Sequence, residues 1–309
     1  MIDFTNCKKI ASTYGGSEKK KKIIYKGDIY LLKFPDPVRE KGNSLSYMNN
    51  QYSEYIGCHI FESCGIKVQE TILGKYIEND KEKIVVACKD FTTPKVELIE
   101  FTKLANSVTK TDQDFTCSIE DIYSVIENSD ITNKEETINS FWDMFVVDTI
   151  IGNPDRHLDN WGLLYDNETE TYHFSPVYDC GSSLNALLSD EKKEALLSNK
   201  ADFKNIAYNA ISANSMNHKK INYSEIYKNP PKDLEKALLR VAPRIDMNKI
   251  NDIINSVPCI NEVNKQFFKE SIKIRKELII DKTYEKIIKE QPTKAADKDI
   301  ADDFDDIDI

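Results

Sequence analysis

The spacing of apolar positions changes along the chain and predicts its elements in order. From Lys8 to Phe34 it gives short β-type stretches, KKIASTY, KKIIY and IYLLKF, separated by the turn-rich GGS and KGD and closed by Pro35. Between Ser44 and Cys64 the period lengthens. Leu45, Met48, Tyr52, Tyr55, Ile56, His59, Ile60 and Ser63 recur at helical spacing, with Gly65 placed to cap the end. Two strand-like segments follow, 67–76 and 83–91, with Asn79 and Asp80 at the turn between them. The sum is a small antiparallel sheet with one amphipathic helix, an α+β unit ending near residue 92.

Beyond it helical patterns dominate. Thr132 and Glu135 read as a capping box, ahead of a stripe of Ile138, Phe141, Trp142, Phe145 and Asp148 in a helix that ends at Gly152. Then come a loop, GNPDRHLDN, a strand, WGLLY, a turn, DNETE, a strand, TYHF, and a loop, SPVYDCGSS. Segments 232–242, 246–256 and 262–289 read as helices separated by Pro243 and Pro258. The expected organisation is an N-terminal unit over 1–92, a largely helical unit over 93–290 and an acidic, disordered tail over 291–309.

Composition narrows the class. A chain of 309 residues with 40% hydrophobic content can bury a sizeable core. No segment has the order of a signal peptide, and no apolar run approaches the roughly 20 residues of a membrane helix, so a cytoplasmic protein is expected. Seven scattered cysteines without a CxxC pair suit a reducing compartment and no zinc site. The net charge of -10 argues against direct nucleic-acid binding and against a membrane surface. Seven aspartates against Lys294 and Lys298 put -5 of it in the last 17 residues. Lys19 to Lys22 is the one basic run, and in isolation it reads as a solvated loop.

The chemistry concentrates between 153 and 181. A hairpin sets its first and last residues side by side, because neighbouring strands lie about 4.8 Å apart. Asn160 enters the first strand and Asp179 lies just past the second, so an amide oxygen and a carboxylate reach one place, with Asp155 on the loop upstream. Few, hard oxygen ligands are what Mg²⁺ held on a nucleotide prefers, and a further carboxylate can orient or deprotonate an attacking hydroxyl. A D-x4-N spacing alone carries no weight in a chain so rich in Asp and Asn; its company does. A strand lysine (Lys33), a helix glutamate (Glu54, with Glu62 as rival) and a glycine pair (Gly15, Gly16) precede it in the order a kinase needs.

At these residues the sequence resembles the HipA-type serine/threonine kinases. NPDRHLDNWGLL followed by PVYDCGSSL carries the likeness, and YGGS, YLLKFP, SEYIGCHI and VVACKDF match earlier segments in order. Glu54 stands eleven residues before Gly65, as in that family. Full-length HipA has an extra N-terminal subdomain for which there is no room before the glycine loop, so the likeness is to the short members. The resemblance implies a two-lobed protein-kinase-like fold, with a small antiparallel-sheet lobe and a mostly helical one, and ATP- and Mg²⁺-dependent phosphorylation of serine or threonine. It implies Asp155 as the catalytic residue and Asn160 and Asp179 as metal ligands. Lys33 would hold the α- and β-phosphates, oriented by Glu54. Tyr14, Gly15, Gly16 and Ser17 would cover the phosphates, and Ala87, Cys88, Lys89 and Asp90 would offer main-chain groups to adenine. His157 and Tyr178 would contact the nucleotide. Autophosphorylation of Ser12, Thr13 or Ser17 and a cognate antitoxin, as for toxin-like members, are further implications.

Two other classes carry similar signals. Phosphoinositide kinases also show DRHxxN followed by an aspartate, against which stand the acidic charge and the lack of a membrane-seeking helix. A nucleotide-binding pseudokinase would lack residues that are present here. The remaining expectations are structural: Asp148 bonds backbone groups of the catalytic loop, Trp142 and Trp161 are core, and Cys180 is a small packing residue.

Overall fold

The computed structural model describes residues 1–11, 20–35, 37–39, 45–47, 49–109, 117–131 and 133–290. The expectations for Ser12 to Ser17, Thr132 and the tail lie outside these residues.

The chain opens with β1 (Ile2–Asp3), β2 (Lys8–Ile10), β3 (Lys20–Tyr25), β4 (Asp28–Lys33), β5 (Pro37–Arg39) and β6 (Leu45–Tyr47). Helix α1 (Asn50–Ser63), β7 (Thr71–Glu78) and β8 (Lys81–Lys89) follow. Six of these strands form one sheet in the order β1-β7-β8-β4-β3-β2. It is antiparallel apart from its edge, where β1 runs parallel to β7, so the sheet is mixed and not wholly antiparallel. Asn79 and Asp80 make the β7–β8 turn with left-handed backbones, as their residue types allow. Strand β8 is buried on both faces. Val85 and Ala87 join a small cluster with Phe4, Ile23 and Phe34, while Val86 and Cys88 face α1 and the main core.

Helix α1 starts later than its periodicity suggests, because Leu45–Tyr47 pairs with Pro37–Arg39 as a separate hairpin. Nor is it one-sided: Asn50, Gln51, Ser53 and Glu54 are buried along with Ile56, Ile60 and Phe61. The cause is its position, wedged between the sheet and the helical region. Its N-terminal end is tied to the latter by Asn49 Nδ2 donating to Asn264 Oδ1 (3.3 Å) and Tyr52 Oη donating to Cys259 O (3.1 Å). Gly65 follows the helix with φ +71°, the expected cap.

The second lobe holds β9 (Val96–Glu100), α2 (Phe101–Thr109), α3 (Ile119–Asn128), α4 (Lys134–Ile151), β10 (Gly162–Asp166) and β11 (Thr171–Phe174). After these come α5 (Asp190–Ser198), α6 (Lys200–Tyr208), β12 (Ile211–Met216), β13 (Lys219–Asn222) and α7 (Tyr223–Ile226). Helices α8 (Lys232–Val241), α9 (Met247–Ser256) and α10 (Glu262–Arg275) complete it, and α10 continues through a π-helical stretch to residue 290. The N-cap of α4 is Asn133, whose side chain accepts from Glu136 N, one residue beyond the expected capping box. Trp142 and Trp161 are core as expected, the latter stacked 4.1 Å from Phe101. The β10–β11 hairpin pairs Leu163 with Phe174 and gains β9 as a third strand.

Candidate active site

The site lies where α4 ends. Gly152 adopts φ +61°, which a residue without Cβ does at no steric cost, and the chain turns into the loop bearing Asp155. Beneath it Asp148 and Arg156 form a buried pair, each about 1% exposed, through Nε to Oδ2 at 2.9 Å and Nη2 to Oδ1 at 3.1 Å. Asn153 Nδ2 also donates to Asp148 Oδ1 (3.0 Å), and Asn153 Oδ1 accepts from Asp155 N (3.1 Å). The Asp148 carboxylate therefore supports the loop through the side chains of Asn153 and Arg156, while its main-chain carbonyl accepts from Asn153 N (3.0 Å). Arg156 Nη1 completes the frame by donating to Asn160 O (2.8 Å) and Tyr178 O.

On this frame the expected residues converge. Asn160 Nδ2 donates to Asp155 O (2.7 Å), which leaves its oxygen as the acceptor. Asp179 has a left-handed backbone (φ +58°), uncommon outside glycine and tolerated best by Asn and Asp. Its Oδ1 accepts from Lys33 Nζ at 2.8 Å, and the same ammonium donates to Glu54 Oε2 at 3.0 Å. Glu54, fully buried, and not the exposed Glu62, is thus the lysine's helix partner. Burial pushes the Asp179 carboxyl up, but the charge and hydrogen bond of Lys33 outweigh it and bring it down to about 2. Burial likewise disfavours the Lys33 charge, and Asp179 and Glu54 together hold it well above the usual lysine range.

Asp155 Oδ2 accepts from Ser182 Oγ (3.1 Å), so a hydroxyl of the chain already sits on the carboxylate proposed to meet one. His157 Nε2 lies 3.8 Å from Asp155 Oδ1, on the cavity wall. Cys180 is buried, as expected, and accepts from Arg156 Nη2 at 3.5 Å.

Two adjoining cavities open here. One of about 180 Å³ is lined by Lys20, Lys33, Glu54, Asp155, Asn160 and Asp179 among others. The other, of about 510 Å³, extends along Leu31, Gln69, Cys88, Phe91, Leu98 and Tyr178. Tyr178 donates to Asp159 O (3.0 Å) and its ring stands 5.9 Å from that of Phe91. The structure changes the picture of Ala87 to Lys89. Strand β8 is flanked by β4 and β7 up to Lys89, so its main chain is committed to the sheet, and of these three residues Cys88 lines the cleft. Lys89 O accepts from Gln69 Nε2 (2.8 Å) and Asp90 N donates to Ile29 O (2.8 Å), so the first stretch of cleft edge beyond the sheet is Asp90 to Thr92.

Sequence reading assigned no role to Arg156, Asn153, Ser182 or Gln69, and took Lys20 as part of a solvated basic loop. Arg156 was detectable as an arginine eight residues after a carboxylate on an apolar helix stripe, a pairing that only the turn at Gly152 makes possible.

A sheet lobe and a helical lobe, with a strand lysine joined to a helix glutamate over a loop carrying Asp155, Asn160 and Asp179, define a protein-kinase-like fold. Comparison with known proteins narrows this. The family model described as HipA-like C-terminal domain matches residues 12–248. Serine/threonine-protein kinase CtkA of Helicobacter pylori strain J99 is 39% identical over 293 residues, 93% of this chain and 89% of that protein. The crystal structure of the Helicobacter pylori proinflammatory kinase CtkA is similar with a TM-score of 0.86 at 39% identity, over 93% of this chain and 98% of that one. HipA in the Shewanella oneidensis MR-1 toxin–antitoxin complex with HipB and operator DNA shares the fold, with a TM-score of 0.55 at 14% identity, over 90% of this chain and 67% of that one. The chain belongs to the HipA-like kinase family.

Proposed function

We propose that the protein is a serine/threonine protein kinase that uses Mg-ATP. The observation that carries this reading is Lys33 Nζ held between Glu54 and Asp179 at 3.0 and 2.8 Å, in one cavity with Asp155 and Asn160. The likeness to CtkA, named a serine/threonine-protein kinase, supports it.

In this reading Asp155 accepts the proton of the acceptor hydroxyl or holds that hydroxyl in line, Lys33 binds the α- and β-phosphates, and Glu54 fixes the lysine's position. Leu31, Cys88 and Tyr178 bound the adenine space, with the main chain around Asp90 and Phe91 at its edge. His157 contacts the nucleotide from the loop. Among the described residues no three His, Cys, Asp or Glu side chains gather as a metal centre. The donor set suits a metal carried on the nucleotide: Asn160 and Asp179 would hold Mg²⁺, with water and phosphate oxygens completing the shell. Bound there, Mg²⁺ neutralises phosphate charge.

Residues 1–92 form the nucleotide-cradling lobe in this reading, and 93–290 the lobe that presents the acceptor. Self-phosphorylation on Ser12, Thr13 or Ser17 would place negative charge beside the ATP phosphates and lower activity. An antitoxin-type protein is the partner class the fold likeness to HipA supports. Among the described residues no helix is long and apolar enough to cross a membrane.

The test is incubation of the purified chain with γ-labelled ATP and either lysate protein or phosphoinositide vesicles, followed by phosphoamino-acid analysis. Labelled phosphoserine or phosphothreonine is the expected product; label confined to lipid would transfer the assignment to the lipid-kinase class.

A further inference from the structure

The run Lys19 to Lys22 looks like a solvated basic loop in the sequence, yet Lys20, Lys21 and Lys22 are the first residues of β3. Strand alternation sends them to different places. Lys21 points away from the cleft, where its Nζ meets Glu78 Oε1 (2.9 Å) and Tyr76 Oη (3.0 Å). Lys20 and Lys22 line the cleft. Lys22 is bound to Asp90 at 2.9 Å, whereas among the described residues Lys20 makes no ion pair.

The register makes this notable. Lys20 stands directly opposite Lys33 on the neighbouring antiparallel strand, and both line the same 180 Å³ cavity. Like charges directly opposite across a ladder are destabilising, and such a local conflict marks a place kept for function. The charge count of the cavity points the same way. Glu54, Asp155 and Asp179 line it against Lys20 and Lys33, so three carboxylates already exceed two ammoniums. Lys33 is taken up by two of those carboxylates. Without Lys20 the lining would carry -2 and with it -1, so Lys20 halves the negative charge that an entering polyphosphate meets.

We propose that Lys20 is a phosphate-binding residue that acts with the opposed Lys33 as a two-lysine clamp on the nucleotide's phosphates; the inference rests on the Mg-ATP reading above. In this division of labour Lys33, held from both sides, gives a fixed contact, and Lys20 supplies a charge that no described residue pairs. The cross-strand repulsion is present in the free protein and is relieved when phosphate oxygens lie between the two ammoniums.

The test is calorimetric binding of Mg-ATP and of adenosine to the full chain, with Lys20→Gln, Lys20→Arg and, as control, Lys21→Gln, together with thermal unfolding without ligand. The clamp predicts roughly tenfold weaker Mg-ATP binding by Lys20→Gln, the scale of one charged hydrogen bond lost. It predicts unchanged adenosine binding, recovery in Lys20→Arg, wild-type affinity in Lys21→Gln, and a higher unfolding temperature for ligand-free Lys20→Gln as the repulsion disappears. Wild-type Mg-ATP affinity in Lys20→Gln overturns the clamp, as does an equal loss for adenosine. A wild-type chain that binds no Mg-ATP overturns the clamp and the kinase reading together.

Discussion

The two walls of the cleft are built on different principles. In the lower wall the buried Arg156 uses Nε, Nη1 and Nη2 on Asp148, three main-chain carbonyls (Asn160, Tyr178 and Asp179) and Cys180 Sγ. The upper wall is two strand lysines opposite each other, one held by carboxylates and one with no ion pair among the described residues. Hydrogen-bond saturation in a buried frame fixes geometry, while excess charge on an open strand face waits for a ligand. The difference says that damage below should unfold the loop, and damage above should cost binding.

The largest effect expected from breaking this contrast is in the lower wall. Arg156→Met leaves Asp148 buried without its partner, and the loss of stability should be about 3–5 kcal/mol, the usual cost of breaking a buried pair from one side. Urea unfolding measures it, and a change below about 1 kcal/mol, the scale of an exposed pair, would show that the pair does not hold the frame.

The joint between the walls comes next. Gly57 of α1 lets Cys180 approach so closely that an added Cβ would lie 2.7 Å from the Cys180 Cβ. Gly57→Ala must push α1 and the Asp179 segment apart, at about 1–3 kcal/mol for overpacking. It should weaken Mg-ATP binding as well as stability, since Glu54 and Asp179 share Lys33 across that contact. Unchanged affinity would uncouple the joint from the site.

Much of the lower wall was legible because its chemistry is local. Asp155, Asn160 and Asp179 lie on one loop and one hairpin, and a hairpin's ends must meet. Lys33 and Glu54 were legible by order, though only the fold chose Glu54 over Glu62. What stayed hidden depends on distant packing. The opposition of Lys20 and Lys33 is a matter of register, which a polar run does not reveal. Helix α5, DEKKEALLS, has too few apolar residues for a period to show, and it forms by capping from Ser189 and packing on α10. The main chain of Ala87 to Lys89 looked available because the sequence does not show that β8 is an interior strand.

The smallest effect is a dependence on pH. Lys193, buried, donates to Asn264 Oδ1 (2.6 Å) within the network that ties the start of α1 to α10. Burial pulls its ammonium down from the usual lysine value to about 8, and Asp190 opposes this only partly. Between there and the ordinary lysine value the unfolded chain binds the extra proton, so stability rises with pH through that window, and below about 8 the penalty is complete. The wild-type urea midpoint relative to that of Lys193→Met should climb from pH 8 to 10; parallel profiles would remove the buried charge from the account.

The central claim is that the cleft transfers phosphate, with Asp155 serving chemistry and Asp179 serving the metal-bound nucleotide. Asp155 has a half-exposed side chain, so Asp155→Asn should leave the fold intact. Measured side by side with labelled ATP, Asp155→Asn should keep wild-type Mg-ATP affinity and lose transfer by about 10²–10⁴, while Asp179→Ala should lose Mg-ATP affinity itself. Transfer by Asp155→Asn at the wild-type rate would contradict the account.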